Sequence, residues 1–520
     1  MRSPILRSPP FPGVNAQVSR LAPQGIAPSD PAALFALVRE ARVGGRFWAT
    51  PARPEDRVAI VRRPLNTKDQ IDTDPWSLLP YAQRLEAHGD DEWIVLARAA
   101  GLPVTVLSAG RFGAPSDDSA RLDQRAAEAL TAAEWRDPFT GGPSTIEAVV
   151  ELLALWRTVL QANRPILAAC GMAWWKRAEI GRFLWHPGHR LALARSADRA
   201  LQIARKGGGS LAIWPSRVSP ALVEQARADG VPLVRVEDGF VRSVGLGVDL
   251  VPPSSVVVDA TGIHFDPSQP SDLEAVLEGA ELHPKILERA RLLRETIVKA
   301  GISKYAAGLG RNTSTTLPAR APNKRLVLVT GQVEDDMSVI AAGGGPGSNL
   351  VLLRRARELE PDAEIWFRPH PDVDAGHRQG AVLDSDALSH ADRVVRGGSM
   401  AALLETVDAV HVLTSLAGFE ALMRGRDVTC HGVPFYAGWG LTRDLGAVPD
   451  RRTRTLTLDA LIAGVLILYP RYLDPITGLP CPPEVLVGRM ATRRATNRLS
   501  WIGPVRRWQG KLMNLIRRCR

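Results

Sequence analysis

The sequence predicts an α/β protein built from two Rossmann-like parallel-sheet domains with a cleft between them. Three observations predict it. From about residue 180 strand-like and helix-like patterns alternate, a polar stretch at 303–324 rich in Gly, Thr, Asn and Pro interrupts them, and a second alternating series follows. In such sheets ligands bind beyond the carboxyl ends of the strands, where the polar clusters of this chain fall.

The first series reads as strands at 210–213, 232–236 and 255–258. A helix at 219–229 opens on Ser219-Pro220, and two more follow at about 271–280 and 283–301. The second series reads as a strand at 325–330, a helix at 348–359, a strand at 364–367, a helix at 400–406 and a strand at 409–413. The domain boundaries that result are 180–302, a linker at 303–324, and 325–485. Residues 1–50 are Pro-, Ala- and Arg-rich and weakly patterned, which predicts a loosely structured segment.

A faint internal repeat concerns residues 51–165. Asp137 to Pro143 (DPFTGGP) resembles Asp474 to Pro480 (DPITGLP), and Gly101 to Thr105 (GLPVT) resembles Gly425 to Thr429 (GRDVT). Gly89, Asp90 and Val95 stand where the later copy has Thr414, Ser415 and Glu420. The segment therefore reads as a degenerate copy that has lost its polar donors.

Composition bounds the function. At 520 residues, 45% apolar and 23% charged, the chain is an ordinary globular protein of two or three domains. Four cysteines without CxxC spacing argue against a zinc site and suit a reducing compartment. No segment reaches the roughly 18 apolar residues of a membrane span, and Leu461 to Tyr469 reads as a buried helix. The prolines at 4, 9, 10 and 12 break up any signal-peptide core. The net charge of +10 is a property of the tail: ten basic residues and no acid lie between Val485 and Arg520, and without them basic and acidic residues balance. Residues 486–520 read as a basic amphipathic helix carrying Trp508, the pattern of a membrane-surface anchor, with a solvated tail as the plainer reading. A basic stripe confined to one terminus, with no reading module, argues against nucleic acid.

Four clusters can carry chemistry. Glu237-Asp238-Gly239, with Arg242 behind it, puts two carboxylates at a strand end, as acid/base work requires; a solvated acidic turn is the alternative. Gln332-Val333-Glu334-Asp335-Asp336 is either a set of coupled carboxylates or an acidic turn favoured by a helix dipole. Arg368-Pro369-His370-Pro371 clamps one histidine between prolines, where it suits stabilising charge on a phosphate. Thr414-Ser415, with Gly418 and Glu420 on the helix that follows, offers donors to a phosphate and a carboxylate to a ribose. Tyr436 and Trp439 either wall the pocket or belong to the core. Gly343 to Gly347 resembles a phosphate loop but has no lysine after it, so it is no Walker motif and reads as a mobile loop over the cleft.

Together these motifs, EDGFVRSVGLG at 237–247, GQVEDD at 331–336, RPHPDV at 368–373, TSLAGFEAL at 414–422, VTCHGVPFYAGWGLT at 428–442 and DPITGLPCPP at 474–483, resemble the capsular polysaccharide biosynthesis and export family of the KpsC/LipB type. The resemblance implies a GT-B-like fold, akin to sialyltransferases, and a retaining β-Kdo transferase. Such an enzyme uses CMP-Kdo and a lysophospholipid- or glycolipid-linked acceptor to build the capsule linker, on the cytoplasmic face of the inner membrane and alongside capsule assembly proteins. It implies Asp335 or Asp336 as nucleophile, Glu237 or Asp238 as acid/base, and His370 with Thr414 and Ser415 on the phosphate. Gln332, Arg368, Pro371, Gly418 and Glu420 would complete the nucleotide site, with Arg242, Tyr436 and Trp439 as the acceptor wall. A monophosphate donor implies no metal and no cofactor. The alternatives are a non-catalytic assembly factor of the same fold, or a GT-B enzyme using another nucleotide sugar.

Overall fold

The computed structural model describes residues 3–22, 28, 30–52, 59–62, 73–242, 251–279, 281–303 and 317–492. The chain divides into two compact units. The smaller comprises residues 1–167, 181–192 and 476–482; the larger comprises 168–180, 193–475 and 483–520.

In the larger unit, Leu326–Thr330 pairs in parallel with Glu364–Arg368 on one side and Ala409–Val412 on the other. The full order is Arg393–Val394, Glu364–Arg368, Leu326–Thr330, Ala409–Val412, Asp427–Cys430 and Arg443–Asp444, and all neighbouring strands run parallel. Counted along the chain, that is the doubly wound order 3-2-1-4-5-6. Its central strand is covered on both faces: all five residues of Leu326–Thr330 are buried.

The other sheet is mixed rather than parallel. Ser210–Ile213 runs parallel to Leu233–Asp238, but Ser255–Asp259 is antiparallel to Leu233–Asp238, and Pro470–Leu473 is antiparallel to Ser255–Asp259. That last pairing moves the expected boundary at 485. After the doubly wound sheet the chain returns to this mixed one, where Tyr472 pairs with Ser255 and both Tyr472 and Leu473 are buried. The run at 461–469 is a buried α-helix, Leu458–Ile462, continuing as a π-helix, Ala463–Leu468. Among the described residues no helix is long and apolar enough to cross a membrane.

The smaller unit corrects the expectation for residues 1–50. Ser19–Leu21 pairs with Ala133–Trp135, Ala32–Ala41 is a helix, and Ile5, Leu6, Val38, Val43 and Phe47 are buried in one core. These apolar residues follow no simple period because they come from turns as well as elements, so the sequence pattern hides them. The long helix Ile146–Asn163 runs through this core, its Trp156 indole N–H donating to the Pro480 carbonyl at 2.7 Å.

The matched segments adopt matched structures. Trp93–Ala100 ends on Gly101 in left-handed backbone and leads to the strand Val104–Val106; Leu416–Met423 is followed by Gly425, also left-handed, and by the strand Asp427–Cys430. In both, that strand pairs in parallel with the one before the helix. The turn at Gly89 is filled by backbone: a Cβ there would lie 2.3 Å from the Gly113 carbonyl and 2.4 Å from the Gly110 nitrogen.

Candidate functional site

Strands 1 and 4 of the doubly wound sheet diverge at its switch point, and the turns after them face each other. After Leu326–Thr330 comes Gly331, then Gln332, whose backbone N–H and carbonyl are both held by the Asn349 side chain at 2.9 and 2.8 Å. After Ala409–Val412 come Thr414 and Ser415. The Gln332 side chain joins the two turns. Its Oε1 accepts from the Thr414 N–H at 2.8 Å and its Nε2 donates to the Thr414 hydroxyl at 3.0 Å. Ser415 caps the helix Leu416–Met423, accepting from the Ala417 N–H. The buried Tyr436 hydroxyl donates to the Ser415 carbonyl, and burial pushes that phenol well above its ordinary range.

Beyond these turns lies a cavity of about 360 Å³ within the larger unit. One wall is carboxylate and aromatic. Leu233–Asp238 ends on Glu237 and Asp238, and Gly239 then presses against Ser255; a Cβ at Gly239 would lie 2.2 Å from the Ser255 hydroxyl. Asp238 is bracketed by cations, with Lys176 Nζ at 2.9 Å on Oδ1 and Arg242 Nε at 2.8 Å on Oδ2. Lys176 itself lies 3.6 Å from the Trp214 ring centroid. Burial pushes its ammonium below the ordinary range, while Asp238 and Glu237 pull it back up. Phe240, His264 and Phe265 continue this wall, and Phe435 faces the same space.

The same cavity offers donors. His370 caps the short helix Pro371–Asp374, its Nδ1 accepting from the Asp372 N–H at 3.2 Å, which leaves the ring proton on Nε2. Thr414, Ser415, Gln332 and Ser338 line the cavity with it. A cavity lined by both carboxylates and hydrogen-bond donors suits a substrate that turns cationic at one atom and anionic at a neighbouring one.

Of the residues singled out from sequence, Glu237, Asp238, Asp336, His370, Gln332, Thr414 and Ser415 line this cavity. The others do not. Asp335 is turned away and pairs with Arg378 at 3.1 Å, with both side chains well exposed. Asp336, which does line the cavity, is also the N-cap of Met337–Ala341, accepting from the Ser338 N–H and hydroxyl, which is the helix-dipole reading of the acidic run. Arg368 spends its guanidinium on the carbonyls of Val395, Gly397 and Gly398, fixing the neighbouring loop. Pro371 begins the helix capped by His370. Gly418 makes room for Tyr436: a Cβ there would sit 2.2 Å from its hydroxyl. Glu420 is buried beside Phe419 and Met423, along a separate small cavity. Arg242 is 1% exposed and acts from behind Asp238. Tyr436 and Trp439 are both fully buried and belong to the core; the aromatic wall is made by Phe240, Phe265 and Phe435 instead.

The glycine loop at 343–347 leads into the helix Ser348–Leu359. Glu334 fills the loop, accepting from the N–H groups of Gly347 and Asn349 at 2.8 and 2.9 Å at the start of Ser348–Leu359. Sequence reasoning missed Lys176 and His264. The signal for Lys176 was a lysine set directly after Trp174-Trp175; nothing local marks His264. Among the described residues no group of three or more His, Cys, Asp or Glu is placed to hold a metal ion.

The family model of capsule polysaccharide biosynthesis proteins matches residues 210–472, a span that contains the whole cavity lining. The chain belongs to that family. It is 39% identical over 352 residues to the capsule polysaccharide modification protein LipA of Neisseria meningitidis serogroup A, covering 68% of this chain and 49% of LipA. The chain therefore spans about half the length of that relative. It is 39% identical over 316 residues to the lipopolysaccharide-processing protein LpsZ of Rhizobium meliloti, covering 60% of this chain and 70% of LpsZ. Two solved structures of Thermosulfurimonas dismutans KpsC are similar. Its β-Kdo 2,4 transferase matches with a TM-score of 0.54 at 30% identity, over 63% of this chain and 98% of that one. Its β-Kdo 2,7 transferase matches with a TM-score of 0.51 at 33% identity, over 63% and 99%. The capsule family member described here thus has the GT-B-like glycosyltransferase fold its motifs imply.

Proposed function

We propose that this chain is a glycosyltransferase that moves Kdo from CMP-Kdo onto a lipid-linked acceptor in capsule linker synthesis, with retention at the sugar. The observation that carries the reading is the meeting of Asp238, His370 and Ser415, from three distant strand ends, in the lining of one cavity. The similarity to the two KpsC transferases supports it.

Loss of the CMP leaving group puts negative charge on its phosphate, beside the donors of His370, Thr414 and Ser415. The sugar carbon becomes oxocarbenium-like against the carboxylates of Glu237 and Asp238, and retention requires a carboxylate on the face opposite the leaving group. With Asp335 turned away and Asp336 committed to its cap, Glu237 and Asp238 are the carboxylates to which the nucleophile and acid/base roles fall. The tail at 486–520, of which 493–520 lie outside the described residues, would hold the enzyme at the cytoplasmic face of the inner membrane.

The test is transfer from CMP-Kdo to a synthetic glycolipid acceptor by the purified chain, read by mass spectrometry. Asp238→Ala and His370→Ala should each abolish product without unfolding the protein; product from both variants would overturn the reading. A thermal-shift panel of CMP, UDP and GDP checks the nucleotide, since a ligand at 100 times its Kd stabilises by about 2.7 kcal/mol. CMP binding without any product would favour a non-catalytic assembly factor.

A further inference from the structure

In a doubly wound sheet the phosphates of a nucleotide are received at the N-terminus of the helix after strand 1, through a glycine-rich turn. Here that helix is Ser348–Leu359, reached after the short Met337–Ala341, and Gly343 to Gly347 supply the glycines before it. The helix start is tied to the cavity. Asn349, its second residue, holds the backbone N–H and carbonyl of Gln332, which lines the cavity. The place of the phosphate, however, is taken. Glu334 Oε2 accepts from the Gly347 N–H and its Oε1 from the Asn349 N–H, and the residue is 7% exposed. Backbone closes over it. The Glu334 N–H donates to the Gln379 carbonyl at 3.1 Å, and Gly380 follows at φ +118°. A Cβ on Gly380 would stand 2.8 Å from the Gln332 carbonyl oxygen and 2.9 Å from Glu334 Cγ, so only glycine fits there.

The helix after strand 4 is different. Leu416–Met423 carries no acid in its first turn, and its Ser415 and Leu416 line the cavity. Of the two helix starts at the switch point, one opens on the cavity and the other is stoppered by the chain's own carboxylate.

We propose that Glu334 restricts the donor to a sugar carried on a nucleoside monophosphate. One phosphate finds its donors at the Thr414–Ser415 turn. A second phosphate reaching toward the helix after strand 1 meets a carboxylate that has already engaged the amide N–H groups, and like charges repel. Selectivity of this kind is built by exclusion of the wrong ligand rather than by contacts to the right one. The inference rests on the cavity being a sugar-nucleotide site, and it adds why one phosphate is accepted and two are not.

The experiment titrates the full chain calorimetrically with CMP, with CDP and with the ethyl ester of CMP, in EDTA so that no metal offsets charge. CDP adds a second phosphate; the ester extends the first without adding charge. The wild-type chain should bind CDP about tenfold or more weakly than CMP, and the ester more tightly than CDP. Glu334→Gln keeps the length of the side chain and removes its charge, and it should bring CMP and CDP to within about threefold of each other. Glu334→Asp, which keeps the charge, should retain the wild-type order. Equal wild-type affinities for CMP and CDP overturn the inference and leave the sugar-nucleotide reading standing. So does a folded Glu334→Gln chain with the wild-type ratio, which would make Glu334 a cap of its loop and nothing more. If Glu334→Gln does not fold, the ester decides: binding as weak as that of CDP shows that bulk rather than charge excludes, and overturns the inference. A wild-type chain that binds none of the three overturns the sugar-nucleotide reading and the inference with it.

Discussion

Lys176 Nζ sits 2.9 Å from Asp238 Oδ1, joining a lysine that follows two tryptophans to a carboxylate 62 positions further along the chain. The lysine is 7% exposed and its ammonium faces the Trp214 ring, so the pair is both desolvated and aimed. Lys176→Met removes one of the two cations on Asp238. We expect a loss of stability on the order of 2 kcal/mol in urea unfolding and a transfer rate reduced at least tenfold. Lys176→Arg should recover part of both.

The two acidic neighbours of the GQVEDD run separate by function. Asp335→Asn should leave transfer unchanged, because that side chain faces Arg378 outside the cavity. Asp336→Ala should cost stability of about 1 kcal/mol through its lost cap, with a smaller effect on transfer than Asp238→Asn. A transfer rate lost in Asp335→Asn would contradict this placement.

Gln332 ties the two turns at the sheet's switch point by a pair of hydrogen bonds to Thr414. Gln332→Ala frees the Thr414 turn and leaves its half-buried N–H without that partner. The expected outcome is a CMP thermal shift at least halved, with far-ultraviolet circular dichroism unchanged.

Gly418→Ala places a methyl group where the Tyr436 hydroxyl now stands. The tyrosine must move off the Ser415 carbonyl, and a destabilisation of about 1–3 kcal/mol follows from overpacking. Calorimetry measures it, and donor binding should weaken with it because Ser415 lines the cavity.

His411 and His431 lie in the second sheet's core with facing nitrogens 3.1 Å apart, and burial pushes them from 6.5 down to about 3 and about 4. Below pH 6.5 the unfolded chain takes up protons that the folded one refuses. Stability is therefore present above that pH and falls as pH drops toward 4, by roughly 1.4 kcal/mol per pH unit for each histidine kept neutral. Urea midpoints at pH 7.5, 6 and 5 should decline in that order.

The strand at 326–330 could be read from its unbroken apolar run, and the site turns from the change to Gly-Gln and Thr-Ser at strand ends, because those features are local. Tyr436 and Trp439 could not be placed, since an aromatic beside glycines reads alike on a pocket wall and in a core. Arg368 could not be read as a loop brace, because its carbonyl partners lie 27 to 30 residues away.

By itself the sequence determined most strands and helices between residues 210 and 413, and that its polar clusters fall at strand ends, since periodicity and capping act within a few residues. Only the tertiary structure decided which of those clusters meet. The return of Pro470–Leu473 to the first sheet, the Lys176–Asp238 pair and the Asp259–Tyr469 hydrogen bond all join residues more than 60 apart or across two sheets. Such partners are chosen by burial and by the need to satisfy every buried polar group, conditions that exist only once the chain has closed on itself.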